Sequence, residues 1–257
     1  MRQPSFFVPI PTNRTFLRMK EIATLPVYFY APDIESTLCL PEDESVHCVR
    51  VLRMKQNDII GVLDGKGTFF KAVITDAHPK HCRVSILEAM PDTSGPFLAT
   101  IALCPTKNPD RVEWFMEKAT EIGIGGIVFL RSQHSERKTI KAERMDRILV
   151  AALKQSVKAL KPSLEPLVSF EELVKRPFVG QKFICHCHPG DKPLLNLVCK
   201  PGIPALVLIG PEGDFSLEEI RLAEQNGFVA VSLGDTRLRT ETAAFVAAHI
   251  VQLKNQA

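Results

Sequence analysis

A run of apolar residues that leads directly into a glycine loop decides the fold: Leu206-Val207-Leu208-Ile209-Gly210-Pro211-Glu212-Gly213-Asp214-Phe215. The run is typical of a buried strand, and Ser216–Glu219 after the loop form a capping box that opens a helix. A second stretch repeats this order, with a strand over Phe228–Leu233, a loop from Gly234 and a helix over Glu241–Leu253. Ligands of open α/β sheets bind beyond the carboxyl ends of strands, so both loops are candidate ligand sites.

Upstream of these loops, strands and helices alternate along the chain. Asn108-Pro109 supplies an N-cap and a first-turn proline for a helix that Gly123 ends. This alternation predicts an α/β fold in which helices cover both faces of a parallel sheet. The other predicted strands are Leu98–Cys104, Gly126–Leu130, Lys182–His188 and Pro204–Gly210, and the other predicted helices are Glu143–Ala159, a short one from Ser169 and one from Ser216 to about Gly227.

The first third of the chain has a different pattern, which predicts a separate domain. Its β-rich segments are joined by the hairpin turn signal Asp64–Gly67, and a helix is expected over Glu42–Arg53. Pro91–Pro96 is polar and rich in turn residues, which indicates a linker. We therefore expect an N-terminal extension over residues 1–25, a small β-barrel domain over 26–92, and an α/β domain over 96–257.

Composition excludes several classes of protein. Apolar residues make up 45% of the chain and charged residues 24%, as in ordinary globular proteins. No apolar run reaches the roughly 18 residues needed to span a membrane, and the N-terminus does not have the pattern of a secretory signal. The seven cysteines show no framework spacing, which favours reduced thiols and a cytoplasmic location.

Charge is concentrated in one segment. The net charge of +3 is too small to indicate nucleic-acid binding, but residues 131–161 hold nine Lys or Arg and only three Asp or Glu. Such a patch attracts phosphate, although a solvated helix face would have the same composition.

Residue spacing gives little support to two hypotheses, nucleotide binding by the glycine loops and metal binding by residues 185–188. Neither glycine loop matches a dinucleotide or phosphate-loop motif, and either loop by itself could be a tight turn between a strand and a helix. Cys185-His186-Cys187-His188 has metal-ligand residue types, but alternate residues of a strand face opposite sides and no second Cys/His pair has suitable spacing. We expect no metal.

Taken together, the two loops resemble the SPOUT superfamily of knotted methyltransferases, and more closely the RsmE family of 16S rRNA uracil-N3 methyltransferases. The family signatures correspond to Ile209–Glu219 and Leu233–Ala243. Lys118–Gly123, Gln155-Ser156 and the His47–Arg53 segment are similar to further family motifs in the same order. Asp214 departs from the family's glycine, Lys158 from an arginine, and Thr236-Arg237-Leu238 from the usual sequence before the final motif.

The resemblance implies a SPOUT-type knotted α/β domain with a C-terminal trefoil knot, preceded by a PUA-like β-barrel that binds RNA. It implies S-adenosylmethionine as cofactor, a homodimer, and 16S rRNA of the small ribosomal subunit as substrate, with no metal and no membrane. The cofactor residues carried over are Ile209, Gly210, Glu212, Gly213, Leu233, Gly234, Leu238 and Arg239.

Methylation of uracil N3 requires the loss of a proton and stabilisation of the charge that develops on the ring. Arg239 is the candidate for that charge stabilisation, although it could equally tie the loops together. Glu212 or Glu241 could accept the proton or orient Arg239, and Glu241 could instead be a first-turn helix carboxylate. The expected RNA contacts are Arg53, Lys107, Arg137, Lys138, Gln155 and Lys158.

Two readings remain open at this point. Gln155 could make a buried hydrogen bond between helix and sheet rather than contact RNA. The chain could also be a SPOUT methyltransferase that acts on tRNA, or an RNA-binding protein without catalytic activity. The glycines and Arg239 argue against the last of these.

Overall fold

The computed structural model describes residues 25–92 and 97–255, which form two compact units. The first unit comprises the described residues before the linker together with Val157–Leu160, and the second comprises the rest. Most of the predicted N-terminal extension and of the linker lies outside the described residues.

The first unit is a four-stranded sheet with short helices. Strands β2, β3 and β4 are antiparallel neighbours, and β1 pairs with β2 in parallel. The segment before Pro41 also joins β4, through an antiparallel bridge between Cys39 and Arg83. The elements are β1 (Tyr28–Tyr30), α1 (Ile34–Thr37), α2 (Glu42–Val46), a π-helical turn (His47–Val51), β2 (Ile59–Leu63), β3 (Thr68–Asp76) and β4 (Arg83–Pro91).

The hairpin between β2 and β3 has the predicted turn. One carboxylate oxygen of Asp64 accepts hydrogen bonds from the N–H groups of Lys66 and Thr68, at 2.7 and 2.9 Å. The helix predicted over Glu42–Arg53 is wrong in its second half. There the backbone widens into the π-helical turn, and Arg53 takes a left-handed conformation with φ of 57°.

A helix was predicted over Glu143–Ala159. The observed helix ends at Gln155, so residues 157–160 are not part of it. The Ser156 hydroxyl donates to the Ala152 carbonyl, and Val157 then turns left-handed with φ of 49°, a conformation that no helix continues through. The Ala159 carbonyl accepts from the Gly67 N–H, and this segment therefore packs with the first unit.

The second unit has a six-stranded parallel sheet in the order β10-β8-β9-β5-β6-β7, with all neighbours parallel. Its elements are β5 (Ala99–Leu103), α3 (Pro109–Ile122), β6 (Gly126–Arg131), α4 (Ala142–Gln155), β7 (Ser163–Ser169), α5 (Phe170–Lys175), β8 (Gln181–Cys185), α6 (Leu195–Val198), β9 (Ala205–Ile209), α7 (Leu217–Gln225), β10 (Val229–Val231) and α8 (Thr240–Lys254).

Helices cover both faces of this sheet, as predicted. Alternate residues of the strands point to opposite sides: Ile101 and Val207 face α3, α4 and α8, whereas Ala102 and Leu208 face α5 and α7. Two buried apolar layers result, and they fix the sheet between them. The α/β class with a parallel sheet is therefore confirmed.

The predicted helix starts are also present. The Asn108 side chain accepts from the Asp110 N–H with Pro109 at the first helical position, and Ser216 and Glu219 form a complete capping box at α7. Two elements were not predicted. Strand β7 lies at the sheet edge, where its internal Pro166 is tolerated, and α6 has only four residues.

Candidate active site

The carboxyl ends of β8, β9 and β10 open on a cavity of about 890 Å³ in the second unit. Both predicted glycine loops line it, so the structure brings together the two stretches that the sequence singled out. Of the eight predicted cofactor residues, seven line the cavity: Ile209, Gly210, Glu212, Leu233, Gly234, Leu238 and Arg239. Gly213 does not, because it lies against His134, to whose side chain a Cβ at Gly213 would be 3.2 Å distant.

Several hydrogen bonds hold the first loop, residues 210–215, and the end of β9 before it. The buried Thr240 hydroxyl, at the start of α8, donates to the Gly210 carbonyl over 3.1 Å. The Ile209 carbonyl accepts from the Cys104 N–H, and one Glu212 carboxylate oxygen accepts from the Lys107 N–H over 3.1 Å. The loop is thus tied to the helix that follows the second loop and to the end of β5.

Gly210 is closely packed inside its own loop. A Cβ at this position would lie 3.2 Å from the fully buried Phe215 ring and 3.4 Å from the Asp214 carboxylate. A side chain here would therefore require small shifts of its neighbours in the loop. Gly234 in the second loop instead has φ of 129°, a conformation that side chains disfavour.

Asp214 adopts the left-handed conformation expected of a residue in a glycine's place, with φ of 62°. Its carboxylate accepts two backbone hydrogen bonds, from Cys187 over 2.7 Å and from Phe215 over 2.8 Å. The departure from the family motif thus adds a carboxylate to the cavity wall and joins the loop to the segment after β8.

The third wall of the cavity was missed by sequence reasoning. It consists of Cys185, His186, Cys187 and Lys192, which follow the end of β8. Burial raises the pKa of the Cys185 thiol to about 12, so this group stays protonated. Nδ1 of His186 is buried and has no hydrogen-bond partner within residues 25–92 and 97–255. Burial, and next the charge of Lys192, lower the pKa of this imidazole.

The sequence pattern of this segment predicts a strand end and no metal site, and does not indicate a cavity wall, because its position there depends on long-range strand pairing. The strand predicted over Lys182–His188 ends at Cys185, so Cys187 and His188 lie beyond it. Within residues 25–92 and 97–255, no group of three or more His, Cys, Asp or Glu side chains is arranged to hold a metal ion.

Positive charge at the cavity comes from Arg111, Lys192, Arg237 and Arg239. Arg239 is the N-cap residue of α8 and is exposed, and its guanidinium has no ion pair among the described residues. Arg111, which the sequence analysis did not select, pairs through Nε with Glu241 over 3.7 Å. Glu241 is 7% exposed and does not line the cavity, and its second carboxylate oxygen has no partner.

The predicted RNA contacts lie outside this cavity. In the second unit, Lys107 pairs with Glu136 over 3.2 Å, Lys138 is exposed and Arg137 is half-buried. Gln155 is exposed, so the alternative of a buried hydrogen bond between helix and sheet is wrong. Arg53 and Lys158 belong to the first unit, where Arg53 is exposed and Lys158 half-buried.

No helix within the described ranges is long and apolar enough to cross a membrane.

Comparison with known protein families finds a matching domain model for each of the two parts of the chain. Residues 93–252 match the model of an RNA methyltransferase domain, and residues 40–87 match the model of an RNA methyltransferase PUA domain. The first match covers the parallel sheet with both glycine loops, and the second covers most of the four-stranded sheet.

Individual relatives agree with the family models. The chain is 30% identical to ribosomal RNA small subunit methyltransferase E of Synechocystis, over 83% of this chain and 72% of that protein. It is 28% identical to a crystal structure of the same enzyme from Neisseria gonorrhoeae bound to S-adenosyl methionine, with a TM-score of 0.79 over 88% of this chain and 97% of that one.

A further crystal structure, named "probable rRNA-methyltransferase from Porphyromonas gingivalis", is 41% identical, with a TM-score of 0.83 over 90% of this chain and 98% of that one. Both folded units are therefore shared with these two crystal structures across nearly their whole length. The chain belongs to the ribosomal RNA small subunit methyltransferase E family, the RsmE family of S-adenosylmethionine-dependent RNA methyltransferases.

Proposed function

We propose that this chain transfers a methyl group from S-adenosylmethionine to N3 of a uridine in 16S rRNA of the small ribosomal subunit. The observation that carries the proposal is the convergence of both glycine loops and the unpaired Arg239 on one cavity. In this proposal the first unit, a PUA-like domain, binds RNA and the second carries out the chemistry.

The residues around the cavity fit the cofactor. A volume of about 890 Å³ is within the range of small-molecule sites. Lys192 can meet the carboxylate of its amino-acid part, and the buried Nδ1 of His186 leaves that ring neutral, since an imidazolium would need an acceptor there. Ile209, Gly210 and Leu233 also line the cavity. When bound, S-adenosylmethionine supplies the electrophilic methyl group.

The substrate base must leave its stack, because N3 lies on the Watson–Crick edge. As N3 loses its proton, negative charge spreads to the two carbonyl oxygens of the base, O2 and O4. The Arg239 guanidinium lines the cavity and has no partner among the described residues, so it is our candidate for stabilising that charge. Glu212 is the candidate for accepting that proton, through the carboxylate oxygen that does not bind the Lys107 N–H. Glu241 instead forms an ion pair with Arg111.

One segment of the predicted basic patch, residues 137–141, supports a proposal about RNA binding. Within residues 131–161, Arg144 pairs with Glu113 and Lys161 with Asp146. Arg137, Lys138 and Lys141 have no ion pair among the described residues. We propose that these three side chains bind RNA phosphates.

We also propose a homodimer, in which α3 and α8 form the contact. An aromatic strip runs along them: the Trp114 ring meets Phe245 edge-on at 5.6 Å, and Phe245 stacks with His249 at 6.3 Å. Trp114 is 40% exposed and Leu253, at the end of the same strip, is 56% exposed.

The proposal also includes a SPOUT-type trefoil knot made by the two loops. It includes a cytoplasmic site of action, where ribosomal subunits are assembled.

The methylated nucleotide tests the function directly. Small subunits lacking the modification and, in a parallel reaction, unmodified tRNA are incubated with the chain and methyl-labelled S-adenosylmethionine, and the labelled RNA is mapped by primer extension. We expect label at one uridine of 16S rRNA, and a block to reverse transcription because the modified edge cannot pair. Label in tRNA alone would favour the tRNA hypothesis, and cofactor binding without any transfer would favour a noncatalytic RNA-binding protein.

Replacement of Arg137, Lys138 and Lys141 by Ala should weaken binding of the rRNA fragment and flatten its salt dependence. Each phosphate contact on a single strand contributes about 0.7 to the slope of log Kd against log salt, so the slope should fall by about 2. The matched control removes three exposed positive charges elsewhere in the second unit: Lys175, Lys200 and Arg221. An equal change in both triple variants would place the RNA surface elsewhere.

Arg239→Ala should lower the single-turnover rate by about a hundredfold or more, with little loss of RNA affinity, if it stabilises charge only in the transition state. Arg239→Lys should rescue poorly, since the ammonium lacks the planar fork. Arg221→Ala, on the exposed face of α7, is the control. If the cofactor affinity and melting temperature fall in parallel while the rate at saturating cofactor stays at the wild-type value, Arg239 only ties the loops.

Trp114→Lys should convert the dimer into a monomer in sedimentation experiments, because a charge at the centre of an apolar contact is strongly unfavourable. Val179→Lys is the control, since Val179 is 91% exposed and lies away from the strip. Unchanged far-ultraviolet circular dichroism would show that both variants fold. A Trp114→Lys protein that remains dimeric would move the interface off this strip.

A further inference from the structure

The Asp214 carboxylate is an unneutralised negative charge on the cavity wall. Asp214 lines the cavity, and its Oδ1 would lie 3.4 Å from a Cβ at Gly210, so it sits directly beside the first glycine loop. Its two partners are backbone N–H groups, of Cys187 and Phe215. Among the described residues, no Lys or Arg forms an ion pair with it.

Those two hydrogen bonds hold the carboxylate in one place. They restrict rotation of the side chain, so the carboxylate keeps its position on the cavity wall. Asp214 is half-buried, which leaves its field less screened than that of an exposed carboxylate.

Methyl transfer changes the charge of the cofactor at one atom. The carbon–sulfur bond to the methyl group breaks, its electron pair stays on sulfur, and the sulfonium becomes a neutral thioether. The new carbon–nitrogen bond uses the electron pair of N3, which loses its proton. Reactant and product cofactors therefore share every other group and differ by one methyl and one positive charge.

We propose that Asp214 selects the positively charged sulfonium cofactor over its neutral product, S-adenosylhomocysteine. This inference rests on the proposed function, since it requires S-adenosylmethionine in this cavity. A fixed carboxylate attracts the sulfonium more than the thioether, so it raises the affinity for the reactant relative to the product. The consequence is weaker product inhibition than the same loop would have with glycine at this position.

The ratio of two dissociation constants tests this without measuring activity. Calorimetry on the full chain gives the Kd of S-adenosylhomocysteine divided by the Kd of S-adenosylmethionine. Asp214→Asn keeps the shape and tolerates the left-handed backbone, and Asp214→Gly restores the family residue. We expect the ratio to fall about fivefold in both variants, which corresponds to about 1 kcal/mol. High salt should lower the wild-type ratio and leave those of the variants nearly unchanged.

The control is Asp191→Asn, an exposed carboxylate outside the cavity wall, whose ratio should match the wild type. If both affinities fall in parallel in the Asp214 variants and the ratio stays constant, the residue only joins the loop to Cys187 and the proposal is wrong. An equal change in Asp191→Asn would also overturn it, because net charge would then be the cause. Failure of the wild-type chain to bind either compound would instead contradict the proposed function itself.

Discussion

The hydrogen bond from Thr240 to the Gly210 carbonyl is the constraint on which the candidate site depends. It is buried, and it joins the first residue after β9 to the first residue of α8, 30 positions later in the chain. With this distance fixed, the residues between β10 and α8 must arch over the same strand ends as the first loop. Arg239, immediately before Thr240, is thereby held at the rim of the cavity.

The charged side chains of the cavity differ in whether they make contacts within the protein. Glu212 and Asp214 accept backbone hydrogen bonds, Arg111 pairs with Glu241, and Lys192 donates to the His188 carbonyl. Arg237, Arg239 and Asp235 make no such contact with described residues. The charged side chains without a protein contact among the described residues thus belong to the second loop, where the proposed function puts the RNA base.

The sequence predicted those parts of the molecule that depend on local chemistry. A buried parallel strand is a continuous apolar run, which the sequence shows directly. The helix caps at Asn108 and Ser216 depend only on residues next to them in the chain, so they were predicted as well. What it could not predict depends on distant partners. Cys185–Cys187 form a cavity wall because β8 pairs with both β9 and β10, and Gly213 faces His134, 79 residues before it in the chain. Strand β7 was missed because it is half-exposed, lies at the edge and contains a proline.

A crystal structure of the chain with S-adenosylmethionine tests the central claim most directly, because it locates the cofactor relative to both loops. The account predicts electron density in the cavity of about 890 Å³, in contact with the backbone of Gly210 and of Leu233 or Gly234, with the methyl group open toward Arg239. Density that contacts only one loop, or that occupies the separate cavity of about 410 Å³ lined by Arg131 and Lys138, would contradict it.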